Sequence, residues 1–255
     1  MNDAGDIREL LDAWPYDPEN DARIVRGQDG REILQVRTPL GLEQLEMQGR
    51  PDGVRPHETD TVLEFYQQEL ARAEAAGSAA EFELNAQDCA ELFAEGTLFY
   101  FRYLRLFQLK RWPETIRDTA RNLQVFDFVR KYAAREEDRN YLEKWRPYLL
   151  RMKTAASALQ RLEQGSVAEA LKIIQSGQER IAAIEEMDDD TFRVERERSL
   201  TVLRELEKQV QAKQPVSPME QLERQLERAI KRQEFERAAE LRDRIRKLRA
   251  QRTAR

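Results

Sequence analysis

Apolar residues along this chain follow two patterns. Near the N-terminus they form short runs typical of strands, and over most of the remaining chain they recur at helical spacing. Apolar positions in Ile7–Trp14 are spaced for a helix, and the prolines that follow end it because proline cannot continue the hydrogen-bond ladder. Three short runs, Arg23–Arg26, Ile33–Arg37 and Leu42–Gln48, are then separated by turn sequences. These runs predict a small antiparallel β-meander that ends in the turn sequence 49–53.

The turn sequence Gly-Arg-Pro-Asp-Gly at 49–53 has two interpretations. Its arginine and backbone amides are suited to binding an anion or a carboxylate. A solvated loop that closes the sheet explains the same residues without a ligand. We favour the loop, because glycine, proline and aspartate are ordinary turn residues.

From 60 to 213 the spacing of apolar residues predicts helix almost throughout. The aromatic residues of 82–148 recur at helical spacing, which predicts a buried core rather than an aromatic cage for a ligand. Two segments, beginning at Lys110 and Gly165, resemble the helix-to-helix junction of a tetratricopeptide-type repeat. They lie 55 positions apart rather than about 34, so we expect repeat-like helical hairpins but no regular solenoid.

An acidic run at 185–190 precedes the last helix of this central region. Carboxylates suit a divalent cation, but the run lacks the glycine and the distal glutamate of an EF-hand loop. We expect it instead to cap the positive end of the following helix. That helix, about Thr191–Lys213, carries Leu203, Leu206 and Val210 at three-four spacing, which predicts a narrow coiled-coil-like seam packed on another helix.

A linker at 214–217 precedes a C-terminal segment that has the signature of two short helices. Ser217 is suited to cap the first helix, with Pro218 at its first position and Glu220 completing a capping box. A polar turn near Arg232-Gln233 precedes the second helix, so we expect an antiparallel hairpin. The expected inner faces are Met219, Leu222, Leu226 and Ile230 on the first helix, and Phe235, Ala238, Leu241, Ile245 and Leu248 on the second.

The sequence EFERAAELRDRI at 234–245 resembles the core of the UVR motif, and the resemblance extends over about 217–250. That motif occurs in the excision-repair proteins UvrB and UvrC, in ClpC-type protease ATPases and in McsA-type regulators, and it implies a protein-binding hairpin. The remaining chain has neither a Gly-x-x-x-x-Gly-Lys-Ser/Thr phosphate loop nor paired Cys-x-x-Cys sequences. Only the interaction role is therefore carried over.

The resemblance implies a set of partner-binding residues, with Phe235 closing one end of the hairpin core and two alanines letting the helices approach closely. Arg242 is the candidate for an ion pair across the interface, because its planar guanidinium suits a carboxylate; alternatively it pairs with a neighbouring carboxylate of its own helix. The full set is Phe235, Glu236, Ala238, Ala239, Leu241, Arg242 and Ile245, with Leu222 and Leu226 on the opposing helix.

Composition excludes several kinds of site. The chain has one cysteine, Cys89, and one histidine, His57, which cannot supply the ligands of a zinc site, so we expect no metal and no cofactor. His57 is expected in a surface loop. No arrangement of histidine, cysteine and carboxylate points to catalysis, so we expect no catalytic residues and no enzyme activity. No apolar run approaches the roughly 20 residues of a membrane span, and the polar N-terminus predicts a cytoplasmic protein.

Charge is unevenly distributed along the chain. From Pro218 onward there are 12 Lys and Arg against 7 Asp and Glu, whereas the preceding residues carry 31 against 41. Arg246, Lys247 and Arg249 belong to a basic stripe that could neutralise nucleic-acid phosphates. The stripe is explained equally well as a solvated helix surface with cations near a C-terminus.

We therefore predict a mainly α protein with a small N-terminal antiparallel β-meander, a central helical bundle with repeat-like hairpins, and a C-terminal two-helix antiparallel hairpin. The corresponding segments are 1–58, 59–213 and 218–250, with the linker at 214–217. The expected function is that of a cytoplasmic bacterial adaptor that docks a protein partner, such as a UvrB/UvrC-like or Clp-protease-like component. The alternatives are a nucleic-acid-associated accessory protein and a homo-oligomeric scaffold.

Overall fold

The computed structural model describes residues 6–213 and 218–253, and the side chains of these residues except 218–221, 223–224 and 247–253. The chain divides into two compact units, Met1–Val210 and Gln211–Arg255. The first unit contains a three-stranded sheet and a set of helices, and the second contains a helical pair. The prediction of a mainly helical protein with an N-terminal sheet is confirmed.

The sheet is an antiparallel meander of β1 (Ala22–Arg26), β2 (Glu32–Thr38) and β3 (Gly41–Glu46), in the order β1-β2-β3. Gly30 adopts a φ of +80° in the first turn, a conformation that glycine reaches without a steric penalty. The predicted meander is confirmed, with strand ends shifted by one or two residues.

The helices of the first unit begin with α1 (Arg8–Ala13), which precedes the sheet. The others follow it: α2 (Val62–Ala75), α3 (Ala86–Gln108), α4 (Trp112–Tyr132), α5 (Glu136–Tyr141), α6 (Arg146–Glu163), α7 (Val167–Ala182) and α8 (Asp190–Ala212). Helices α3 and α4 pack together, as do α6 and α7. The turns within these pairs contain Lys110, with a φ of +58°, and Gly165, with a φ of +79°. The predicted helical hairpins are confirmed at both junctions.

The close approach of α6 and α7 depends on Gly177. A Cβ atom at this position would lie 2.4 Å from both Oγ1 and Cγ2 of Thr154. A residue larger than glycine at this position would therefore push the two helices apart.

Buried charged side chains of α3 connect this helix to the sheet and to α2. Arg102 of α3 is fully buried, forms a bidentate pair with Asp118 at 2.7 and 2.9 Å, and donates to the carbonyl oxygens of Glu46 and Gly49. Buried Glu95 accepts the backbone N–H of Val62 at 2.7 Å. A buried charge is tolerated only with such partners, so these contacts position the end of the sheet and the start of α2.

The predicted aromatic core is correct for some residues and wrong for others. Five aromatic rings of this set are buried, those of Phe99, Tyr103, Trp112, Phe126 and Phe128. Four others are exposed, those of Tyr100, Phe101, Tyr141 and Trp145. Tyr100 and Phe101 lie on the same helix, α3, as the buried Phe99 and Tyr103, so an aromatic residue in a helix does not by itself predict burial.

The last helix of the first unit has the predicted cap and seam. Asp189 accepts the backbone N–H of Phe192 at 2.9 Å, which confirms the capping role of the acidic run. Leu203 and Val210 are fully buried in the same apolar cluster as Ile174 of α7. Since this seam is covered by its own unit, a homo-oligomer would have to form through another surface. No helix in the described part of the chain is long and apolar enough to cross a membrane.

Candidate protein-docking hairpin

The second unit is built from α9 (Pro218–Lys231) and α10 (Phe235–Thr253), which pack against each other. Leu241 and Ala238 of α10 are buried and share a small apolar cluster with Leu222 and Leu226 of α9. Ile245 is also buried. The predicted two-helix hairpin is confirmed, and most of its predicted apolar positions line the interior.

The inner face of α9 differs from the prediction at one position. Ala229 is buried in the cluster, whereas Ile230 is 54% exposed. Successive residues of a helix are about 100° apart, so the four-three spacing of Leu222, Leu226 and Ala229 keeps a straight inner stripe. The expected placement of Ile230 on this face was therefore wrong by one residue, and the error arose because isoleucine is the more apolar of the two neighbours.

Phe235 does not close the hairpin core as expected, because its side chain is 70% exposed. It is the first residue of α10, and it lies about a quarter turn away from the stripe of Ala238, Leu241 and Ile245. Helical side chains also lean toward the helix N-terminus, which at this position is the turn. An exposed phenylalanine and an exposed isoleucine therefore lie at the turn end of the hairpin.

The turn between the helices is held by backbone hydrogen bonds. The N–H of Glu234 donates to the carbonyl of Ala229 at 2.9 Å, and that of Gln233 donates to the carbonyl of Ile230 at 3.0 Å. Gln233 has a φ of +59°, as expected at the C′ position of a Schellman motif. The predicted polar turn is confirmed, and its geometry fixes Ile230 and Phe235 on either side of it.

The remaining predicted contact residues lie on the hairpin surface. Glu236, Ala239 and Arg242 are exposed. Of the two alanines expected between the helices, only Ala238 lies there, and the expectation for Ala239 was wrong. The Arg242 guanidinium lies 3.9 Å from Asp243, a weak contact that leaves it accessible. Arg246 is also exposed and pairs with Asp243. Surface pairs of this kind contribute little to stability.

Several predicted features fall outside the described residues. These are the linker 214–217 with the Ser217 cap, and the side chains of Met219, Glu220, Lys247, Leu248 and Arg249. Their predicted roles stay predictions.

The single histidine and the single cysteine of the chain both lie in the first unit. His57 lies in a surface loop, with its ring stacked on Phe65 at 4.0 Å and Nε2 3.2 Å from Glu91. Cys89 is fully buried, and burial raises the pKa of its thiol to about 11. Among the described residues, no cluster of His, Cys, Asp and Glu is arranged to hold a metal ion.

Comparison with known families supports the importance of the hairpin. Residues 217–251 match the family model described as the UvrB/uvrC motif (UVR). The predicted resemblance is confirmed within this C-terminal segment, and the motif typically mediates protein or DNA interactions. Comparisons with curated proteins and with solved structures found no match to the chain.

Proposed function

We propose that this protein is a non-catalytic adaptor that docks a partner protein through its C-terminal UVR hairpin. The observation that carries the proposal is the exposure of Phe235 beside the hairpin turn, with Ile230 exposed on the other side of it. Large aromatic side chains dominate protein interfaces because they bury much apolar area with few rotatable bonds. A phenylalanine that the hairpin itself does not bury is therefore a candidate anchor.

The hairpin can offer this anchor without losing its own fold. Its interior is filled by leucines and alanines, and Ala229 and Ala238 are buried between the helices. Replacement of Phe235 therefore removes a surface contact, whereas replacement of Leu241 would open the core. Glu236, beside the turn, and Arg242, about two turns further along α10, are exposed and could add oriented ion pairs at the rim of the interface.

We propose that the partner is a UvrB/UvrC-like repair protein or a Clp-protease-like component. The support is the match to the UvrB/uvrC motif. The protein would act in the cytoplasm, where such partners are found.

The proposal is tested by partner capture from cytosol with the full chain and with Phe235→Ala. The variant should lose at least 90% of the captured partner, because truncation of a buried aromatic anchor weakens binding by about 2 kcal/mol or more. The control is Gln225→Ala, an exposed position of α9, which should capture as much as the parent. Equal capture by parent and Phe235→Ala would refute docking through this residue.

A nucleic-acid role is the second candidate, favoured by the exposed arginines of α10. Arg244 and Arg246 are both exposed, and Arg246 forms its ion pair with Asp243 on the surface. If α10 binds phosphates, Arg244→Ala should weaken capture and lower the salt dependence of binding by about one counterion, while Phe235→Ala should not. Nuclease treatment before capture separates the two candidates.

A further inference from the structure

Helix α3 presents one uncharged face to solvent along most of its length. The residues of this face alternate in spacings of four and three, which keeps their side chains in line along a helix. None of them is charged, although 36% of the residues of the chain are. All are exposed except Leu104, which is half-buried. This outer face of α3 consists of Ala90, Ala94, Thr97, Phe101, Leu104 and Gln108.

The two polar side chains of the outer face already have hydrogen bonds within the chain. The Thr97 hydroxyl donates to the carbonyl oxygen of Phe93 at 3.0 Å. The Gln108 amide donates to Asp21 at 3.1 Å and accepts from Arg105 at 3.2 Å. A second helix could therefore cover this face without taking these groups away from their partners, a loss that would be unfavourable.

Exposed aromatic rings extend the outer face on one side. The ring of Tyr100 lies 5.4 Å from that of Phe101, and Tyr141 of α5 stacks on Phe93 at 4.7 Å. Phe101 and Tyr141 are each 53% exposed and Tyr100 is 37% exposed. At about 200 Å² per aromatic residue, these three present about 300 Å² to solvent. A stable interface buries about 800 Å² per partner, so the rings supply about a third of that area and the rest of the outer face adds to it.

The outer face is complementary in shape to a second copy of itself in the antiparallel orientation. Its small residues lie in the first half of α3 and its large apolar residues in the second half. In an antiparallel pair centred between Thr97 and Phe101, Thr97 of one protomer faces Phe101 of the other, and Ala94 faces Leu104. Each layer then combines a small and a large side chain. In a parallel pair Phe101 would face Phe101 and Ala94 would face Ala94, which overfills one layer and leaves another poorly filled.

The charges beside the outer face favour the same orientation. Glu91 and Arg105 lie on one flank of it, about four turns apart, and both are partly exposed. An antiparallel pair brings Glu91 of each protomer toward Arg105 of the other, whereas a parallel pair brings like charges together. Each also has a contact in its own chain, to His57 at 3.2 Å and to Asp21 at 2.9 Å. The new pairs therefore select the orientation more than they strengthen binding.

We propose that two copies of this chain associate through the outer face of α3, antiparallel and about a two-fold axis. Such an interface uses the same surface on both protomers, as the matching halves of the outer face and its flanking charges require. It forms through the first unit and does not depend on docking by the hairpin. The dimer would carry two hairpins, which increases the avidity for a partner that has two binding sites.

Sedimentation equilibrium of the full chain tests the association. At concentrations up to about 50 µM the mass should rise from one chain to two, because even weak interfaces of standard size have micromolar dissociation constants. Phe101→Glu and Ala94→Glu each put a charge into the interface from an exposed position and should raise the dissociation constant at least ten-fold. A parent chain that stays monomeric, or parent-like association in a folded Phe101→Glu or Ala94→Glu variant, would overturn the proposal.

Two control variants separate this surface from other apolar positions. Val194→Glu changes an exposed residue of α8, and Phe235→Glu changes the exposed phenylalanine of the hairpin. Both should associate as the parent does. If Phe235→Glu abolishes association and Phe101→Glu does not, the copies meet through the hairpin and the proposal is wrong.

Disulfide cross-linking tests the orientation, since the natural cysteine, Cys89, is buried. Ala94→Cys and Leu104→Cys, mixed in equal amounts and oxidised, should form a covalent heterodimer, because these positions face each other only in the antiparallel pair. Neither variant alone should cross-link, since a disulfide needs Cβ atoms about 4 Å apart. Cross-linking of each variant with itself, or no cross-link in the mixture, would overturn the antiparallel arrangement.

Discussion

Replacement of Gly177 by alanine should destabilise the first unit, although alanine is the better helix former. The new Cβ would lie 2.4 Å from two side-chain atoms of Thr154 and 2.9 Å from its Cβ, distances that force the helices apart. Overpacking of this severity costs about 3 kcal/mol. The gain in helix propensity offsets about 1 kcal/mol, which leaves a net loss of about 2 kcal/mol.

Urea unfolding followed by tryptophan fluorescence measures this loss selectively. The three tryptophans, Trp14, Trp112 and Trp145, all lie in the Met1–Val210 unit, so the signal does not report on the hairpin. The midpoint of unfolding should shift to lower urea with little change in slope.

The matched control is Gly96→Ala in α3. A Cβ there has its nearest neighbour, Oδ1 of Asn122, at 4.0 Å, so the same substitution should stabilise by up to about 1 kcal/mol. Thr154→Ala combined with Gly177→Ala should recover at least half of the loss, because it removes the two closest contacts. A neutral or stabilising Gly177→Ala would refute the close-packing argument.

Two further predictions concern the buried groups of the first unit. Asp118→Ala should lower the free energy of unfolding by about 3–5 kcal/mol, since it leaves the buried guanidinium of Arg102 without its carboxylate. The control Glu69→Ala, which removes an exposed ion pair, should change the free energy of unfolding by less than about 1 kcal/mol. Equal effects of the two substitutions in urea titrations would contradict this account. Cys89, with its pKa raised to about 11 by burial, should resist an aromatic disulfide reagent at pH 8 until the unit unfolds. Because its folded pKa lies above the ordinary value of 9.0, the unfolded state binds fewer protons between about pH 9 and 11, so stability should fall over that window. Cys89→Ala should remove the part of the fall that begins near pH 9, whereas the part above pH 10 remains because burial also raises the pKa values of Tyr66, Tyr103 and Tyr148.

The sequence predicted the local elements well because their signals are local. The first turn of the meander, which contains Gly30, and the helix cap within the acidic run 185–190 depend on residues within a few positions of each other, and both appear as expected. The EFERAAELRDRI run at 234–245 likewise lies within residues 217–251, which match the UVR family model. Such features are set by backbone preferences and short-range hydrogen bonds, which hardly depend on distant parts of the chain.

The errors in the hairpin arose where neighbouring residues compete for one face. Ile230 is more apolar than Ala229, yet Ala229 is buried, because the narrow space between closely packed helices admits a methyl group. Phe235 matches the motif and was expected in the core, but its place at the first position of α10 directs it outward. The four-three spacing of Leu222, Leu226 and Ala229 predicts the inner face of α9 correctly, whereas the size of the apolar side chain favours Ile230 and does not.

By itself, the sequence determined the succession of helices and strands, their caps and turns, and the identity of the C-terminal motif. Tertiary structure decided which side chains those elements bury and which charges they bring together. Arg102 donates a hydrogen bond to the carbonyl oxygen of Glu46, 56 positions away in the sequence. Such pairings depend on how whole elements pack, and a residue's neighbours in sequence carry little information about its neighbours in space. For the same reason, only the folded hairpin shows that Phe235 faces outward, where a partner can reach it.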